Sequence, residues 1–171
     1  HQTYNLPVIT THCSNNFGSF QFPEKLIPLC ILNAINDKPI PVYGDGKHIR
    51  DWLYVSDHCH AIRKVLRDGV LGETYNIGGN SERTNIEVVQ KICDLLDNIR
   101  PMQNKKSYAK QISFVKDRPG HDLRYAIDSS KIQKELGWQP TVNFESGLEK
   151  TVKWYLDNDV WLKNIITSNF K

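Results

Sequence analysis

Short β-branched runs alternate with stretches of helical periodicity along this chain, and glycine or proline punctuates the joins. That rhythm restricts the fold to the α/β class, because each short strand needs a helix to cover it. Residues 6–13 read as a strand whose β-branched content predicts burial. A helix should begin near Lys25, since Pro28 is tolerated only in a first turn. Residues 39–43 are extended, and their two prolines bar them from the middle of a sheet. Gly44-Asp45-Gly46 makes a turn into a second extended piece at 49–55. Ser56 is placed to cap the helix that follows, which should stop at Gly69. Residues 73–77 read as a strand ending in Gly78-Gly79, and Thr84-Asn85-Ile86-Glu87 spells a capping box. Behind it Ile86, Val89, Ile92 and Leu96 share a helix face. Residues 98–110 look irregular, and 111–116 return to strand character. Asp128 can cap a short helix closed by Gly137 in a left-handed conformation. Phe144, Leu148, Val152 and Tyr155 stripe the last helix.

The 171 residues suffice for one domain or the end of a larger one, and 39% hydrophobic content supports a packed core. A net charge of +3 is too mild for nucleic-acid binding but suits a small anion. Cys13, Cys30, Cys59 and Cys93 form no close pair, which predicts reduced, buried thiols in a cytoplasmic protein. No apolar run is long enough for a membrane span, and no signal peptide is visible. His1 without a preceding Met suggests a piece of a longer chain.

Three loops carry polar groups that periodicity does not explain. In the first, Asn15 and Asn16 end an apolar run, Phe17, Phe20 and Phe22 surround a glycine, and Lys25 stands at a helix mouth. Strand C-termini are where open α/β sheets place ligands. A lysine at a helix start is disfavoured by the dipole unless an anion sits there too. In the second, Gly44 to Trp52, Arg50 offers a planar fork for phosphate. In the third, Arg118 and His121 are donors on the stiff turn Asp117-Arg118-Pro119-Gly120-His121-Asp122. An ordinary asparagine turn, a solvated lysine and surface salt bridges are the competing readings of the three. Asp57-His58-Cys59-His60 is not a metal site, since residues two apart on a helix do not share a face. No glycine-rich dinucleotide fingerprint occurs.

Taken together the loops resemble the C-terminal half of the dTDP-glucose 4,6-dehydratases, which are extended short-chain dehydrogenases/reductases. The resemblance spans about residues 1–160. It is carried by Cys13-Ser14-Asn15-Asn16-Phe17-Gly18, Phe22-Pro23-Glu24-Lys25-Leu26-Ile27-Pro28, Ile49-Arg50-Asp51-Trp52-Leu53-Tyr54-Val55, Tyr75-Asn76-Ile77-Gly78-Gly79 and residues 117–128. The second and last are the most specific to the dehydratases, while Arg50-Asp51-Trp52 and Tyr75-Asn76-Ile77-Gly78 mark the wider superfamily.

The resemblance implies the last part of a Rossmann-type sheet plus a smaller mixed α/β substrate lobe. Residues 1–16 would be a late Rossmann strand and substrate loop, 17–160 mainly the lobe, and 161–171 a tail. It implies dehydration of dTDP-glucose to dTDP-4-dehydro-6-deoxyglucose in deoxysugar (for example rhamnose) biosynthesis, by a cytoplasmic homodimer that holds NAD mainly through an upstream part. Neither nucleic acid nor membrane is an implied partner. Asn15 would touch the sugar nucleotide and Asn16 would lie by NAD. Lys25 and Leu26 would line the nucleotide site, and Pro41, Val42 and Tyr43 would flank base and ribose. Arg50 would take the diphosphate, with Asn76 and the turn Asp117, Arg118, Pro119, Gly120 and His121 completing the grip. Alternatives are a UDP- or CDP-sugar dehydratase, epimerase or decarboxylase, and a sugar-nucleotide binding module without catalysis. Ser19 and Phe20 depart from the family's usual Pro and Tyr, which predicts a looser loop. No catalytic residue is expected in this chain. Tyr43 and Lys47 have the spacing of the family's Tyr-x-x-x-Lys pair but fall at a turn rather than on a helix.

Overall fold

The protein is described by a computed structural model covering residues 1–104 and 106–167, with backbone alone for the last two. Among the described residues, eight strands and six α-helices follow one another as β1 (Thr10–Cys13), β2 (Asn15–Phe17), α1 (Leu26–Ile35), β3 (Ile40–Tyr43), β4 (Ile49–Tyr54), α2 (Val55–Asp68), β5 (Thr74–Ile77), β6 (Glu82–Thr84), α3 (Asn85–Ile99), β7 (Ile112–Val115), β8 (Arg124–Tyr125), α4 (Ser130–Leu136), α5 (Phe144–Asp157) and α6 (Asp159–Thr167). The α/β expectation therefore holds.

The strands form three small sheets. β1 and β5 pair in parallel, as do β3 and β7. β4 is the hub of the third. Its second half pairs in parallel with β2, and its first half takes β6 antiparallel on one edge and β8 parallel on the other. The two-stranded β3–β7 ladder accommodates Pro41, which lacks the N–H a central strand would need.

Two apolar clusters hold these layers. The larger packs α1, α3 and α5 against β2, β3 and β4 around Ile31, Ile40, Ile92, Leu148 and Tyr155. The smaller seats α2 and α4 on β5 through Val65, Tyr75, Ile77 and Ile132. Asp57 on α2 joins them: its buried carboxylate accepts from the backbone N–H groups of Thr141 and Val142 and from the Thr141 hydroxyl.

Local signals explain most boundaries. Lys25 is the N-cap of α1, and Pro28 sits in its first turn. Gly137 closes α4 at φ 64°, a conformation that costs glycine nothing. The α3 capping box is complete, with Thr84 Oγ1 accepting from Glu87 N at 3.3 Å and the Glu87 carboxylate accepting from Thr84 N at 2.7 Å. Thr84→Ala should therefore cost about 1 kcal/mol, read as a lowered urea midpoint. An unchanged midpoint would show that the cap adds nothing.

The structure corrects several expectations. Thr10 to His12 are exposed: β1 has β5 on one edge, and its contact with the smaller cluster comes through Ile9 and Cys13. Tyr54, not Ser56, is the N-cap of α2, since β4 runs straight into the helix. The irregular stretch 98–110 begins inside α3 and ends in a 3-10 turn, Tyr108–Gln111. α5 is followed by α6, whose Trp161 and Leu162 pack on the larger cluster. Residues 168–171 of the expected tail lie outside the described residues. The four cysteines are free, and burial lifts the Cys30 and Cys93 thiols to about 12, but Cys59 is exposed on α2.

Candidate functional site

Strand alternation selects the side chains that meet at the site. Successive residues of a strand point to opposite faces. On β4, Arg50 and Trp52 therefore share one face, while Asp51 and Leu53 are buried on the other. Pro41 and Tyr43 share a face of β3, and Val42 turns into the core. Asn15 sits in register beside Trp52.

These faces enclose a cavity of about 300 Å3. Asn15, Leu26, Pro41, Tyr43, Arg50, Arg118 and His121 line it, from three loops far apart in sequence. The remaining expected residues lie elsewhere. Lys25 is exposed and pairs with Glu24 at 2.7 Å. Val42 is 1% exposed within the core. Asn76 is on β5, in register with His12 in a different sheet. Pro119 and Gly120 are on the exposed outside of their turn, and Asp117 lies behind His121.

Glu24, Leu29, Trp52 and Asn85 also line the cavity and were missed as site residues. The i, i+2 spacing of Arg50 and Trp52 on a strand was the available signal for the tryptophan. Its indole Nε1 is buried without a hydrogen-bond partner. Such an orphaned donor is costly unless a ligand or water meets it.

The cavity is cationic on one side. Burial lowers the Arg50 guanidinium from its ordinary value, the Asp122 carboxylate opposes that shift, and Arg118 adds to it. Arg50 uses one N–H on the carbonyl of Ile49, leaving most of its fork for a ligand.

Behind His121 lies a carboxylate shared by two imidazoles. His121 Nδ1 is 2.7 Å from Asp117 Oδ1, and His48 Nε2 is 3.1 Å from Asp117 Oδ2. The rings stack with centroids 3.8 Å apart and planes within 20°. The hydrogen bond from His121, then that from the Arg118 backbone, holds the Asp117 carboxyl below its ordinary value against desolvation. The three ligand-type atoms lie within 4.8 Å of one another. A metal must lie near the plane of each imidazole that binds it, and near-parallel stacked planes share no such point. The trio is therefore a hydrogen-bonded unit.

Asn16 faces away from Asn15, toward a second cavity of about 270 Å3 formed by residues 16–21 and Val55. Asn16 Nδ2 donates to the Ser14 carbonyl, and its Oδ1 is buried without a partner. That acceptor fits a carboxamide N–H of a nicotinamide. The loop is anchored rather than loose: Phe20, at φ 64°, packs its ring 4.6 Å from Trp154 and 5.6 Å from Trp161, and the Tyr155 hydroxyl donates to the Gln21 carbonyl. Tyr43 ends β3, while Lys47 follows in the turn and pairs with Asp45.

Comparison with known proteins finds extensive similarity along the chain. The family model for GDP-mannose 4,6 dehydratase matches residues 1–151. The chain is 60% identical to a dTDP-glucose 4,6-dehydratase of Xanthomonas campestris pv. campestris over its whole length, covering 49% of that protein. It is 51% identical to the solved dTDP-glucose 4,6-dehydratase of Bacillus anthracis in complex with NAD, with a TM-score of 0.85, covering 96% of this chain and 49% of the other. A Streptomyces venezuelae dTDP-glucose 4,6-dehydratase solved with NAD and TYD bound is 43% identical, with a TM-score of 0.88, covering 96% of this chain and 48% of the other. The chain thus spans about half the length of the relatives it matches. Among the described residues no helix is long and apolar enough to cross a membrane.

Proposed function

Because the chain belongs to the GDP-mannose 4,6 dehydratase family of extended short-chain dehydrogenases/reductases, we propose that it forms the nucleotide-sugar grip of an enzyme that dehydrates dTDP-glucose to dTDP-4-dehydro-6-deoxyglucose. The observation that carries this reading is the convergence of Arg50, Arg118 and His121 on one cavity with Tyr43, Asn15 and the Trp52 side chain. Two guanidinium groups suit a diphosphate. Tyr43, about half exposed, offers a flat face for a base. Asn15 brings an amide to a sugar's hydroxyls, and Trp52 adds an aromatic wall.

In this reading Leu26 and Pro41 form the apolar wall of the nucleotide pocket, and Asp117 supports His121. Lys25, Val42, Asn76, Pro119 and Gly120 act by shaping the loops and strands around the cavity. NAD, when bound, supplies a reversible hydride store for the dehydration. Asn16 would hold one end of it, on the far side of β2 from Asn15, and the proton-transferring groups belong to the half that the relatives have in addition. Residues 1–16 would then complete a Rossmann-type sheet and 17–160 the substrate lobe. A cytoplasmic homodimer is part of the same proposal.

Turnover of the full-length protein with NAD on dTDP-glucose, UDP-glucose and CDP-glucose tests it. The 4-dehydro-6-deoxy product is expected from the thymidine sugar. Activity on another nucleotide sugar without activity on dTDP-glucose would overturn the assignment.

A further inference from the structure

We infer that Leu29 and Leu26 on α1 form an apolar ledge that reads the 5-methyl group of a thymine base, so that the cavity selects thymidine over uridine nucleotides. This rests on the reading of the cavity given above, and it names the side chains that separate two nucleotides differing by one methyl group.

Helical spacing puts the two leucines on one face. Residues three apart on a helix are neighbours, and Leu26 and Leu29 both line the cavity. Around them Ile27, Pro28, Cys30 and Ile31 are buried, whereas the two leucines are half-buried. Apolar surface left partly open on an otherwise buried helix gains when an apolar group of a ligand covers it. β3 packs beside α1 and turns Pro41 and Tyr43 toward the same space.

The order of groups along a nucleotide sugar then decides which part meets this ledge. In the reading above, Arg50, Arg118 and His121 take the diphosphate, which is the middle of the molecule. The reacting sugar lies toward Asn15, because its neighbour Asn16 turns to the cofactor side of β2. The base is therefore the part left for α1 and β3. Tyr43 can stack on either base, since both present a flat ring. Thymine and uracil differ at the ring edge, in a methyl group that makes no hydrogen bond. The polar side chains Glu24 and Asn85 gain nothing from that methyl group. Aliphatic side chains do gain from it, and two of the three that line the cavity are the leucines of α1, the third being Pro41. Recognition of this kind is modest in size, because it comes from one methyl group rather than from a buried polar pair.

Calorimetric titration of the full-length protein with dTDP and dUDP tests this, because the two differ only in the 5-methyl group and share the same phosphates and deoxyribose. Wild type should prefer dTDP about four- to tenfold, the worth of one methyl group covered by apolar surface. Leu29→Ala and Leu26→Ala should each shrink that preference, and the double variant should bring the ratio to about one while dUDP still binds. Leu29→Met keeps an apolar side chain of similar volume and should retain most of the preference. Arg50→Ala should weaken both nucleotides alike and leave their ratio as in wild type. Equal affinities in wild type would overturn this inference alone, as would a preference that survives in the double variant. A preference lost instead in Pro41→Ala would assign the methyl group to β3 and overturn it too. Failure of wild type to bind either nucleotide would overturn it together with the proposed function. Should the alanine variants fail to fold, Leu29→Gln, which keeps helix propensity but sets a polar end at the ledge, decides in their place: the ratio should fall, and an undiminished ratio would overturn the inference.

Discussion

Asp51→Ala should lower the stability of the protein by about 3–6 kcal/mol, the sum for two hydrogen bonds to a charged acceptor. Asp51 is 1% exposed on β4 and accepts from Gly79 N at 2.9 Å and Ser81 N at 2.7 Å. Those two bonds fasten the connection between β5 and β6 onto the hub strand. The fit there is close enough to demand glycine, since a Cβ on Gly79 would lie 1.9 Å from the Trp52 carbonyl oxygen. Alanine at 51 would leave two backbone donors without partners and a gap beneath them. Asp51→Asn retains one acceptor but sets an NH2 against a backbone N–H, so it should fall between the two. Urea denaturation of the full-length variants reads both. A loss below about 1 kcal/mol for alanine would show that water replaces the carboxylate.

Arg50→Ala should weaken nucleotide-sugar affinity by about 1.5–3 kcal/mol, roughly ten- to hundredfold. Arg50 points from the opposite face of the same strand into the cavity, and burial with Arg118 nearby makes it costly to keep there without an anion. Lysine should recover only part of the loss, because it lacks the planar fork. Titration of full-length wild type and variants with dTDP measures this. Equal affinity would remove Arg50 from the site.

The two substitutions also separate what the sequence makes legible from what it does not. Local chemistry was readable: the capping box at Thr84, the left-handed Gly137, the proline limit on α1 and the stripe of α5 all act within a few residues. The three polar loops were readable as outliers from periodicity, and Arg50, Arg118 and His121 do share one cavity. What failed depends on partners distant in sequence. Burial of β1 depends on what covers it, which strand propensity does not report. Val42 follows from the pleat of β3, which sends it away from Tyr43. Lys25 stands between Glu24 and Leu26, which line the cavity, but is itself exposed and pairs with the Glu24 carboxylate. His48 falls within the second polar loop, and only the fold places it beside residues 117 and 121.

The β3–β7 ladder joins residues 40–43 to 112–115. Tyr43 leaves one of these strands, and the turn bearing Arg118 and His121 leaves the other. Neither wall has its final position until that register closes, so binding competence is tied to a contact between segments some seventy residues apart. Contacts of such span form late, since their loop entropy must be overcome first. During synthesis the early wall emerges well ahead of its partner and waits, with α3 forming in the interval. Ligand recognition is thus among the last properties a nascent chain acquires.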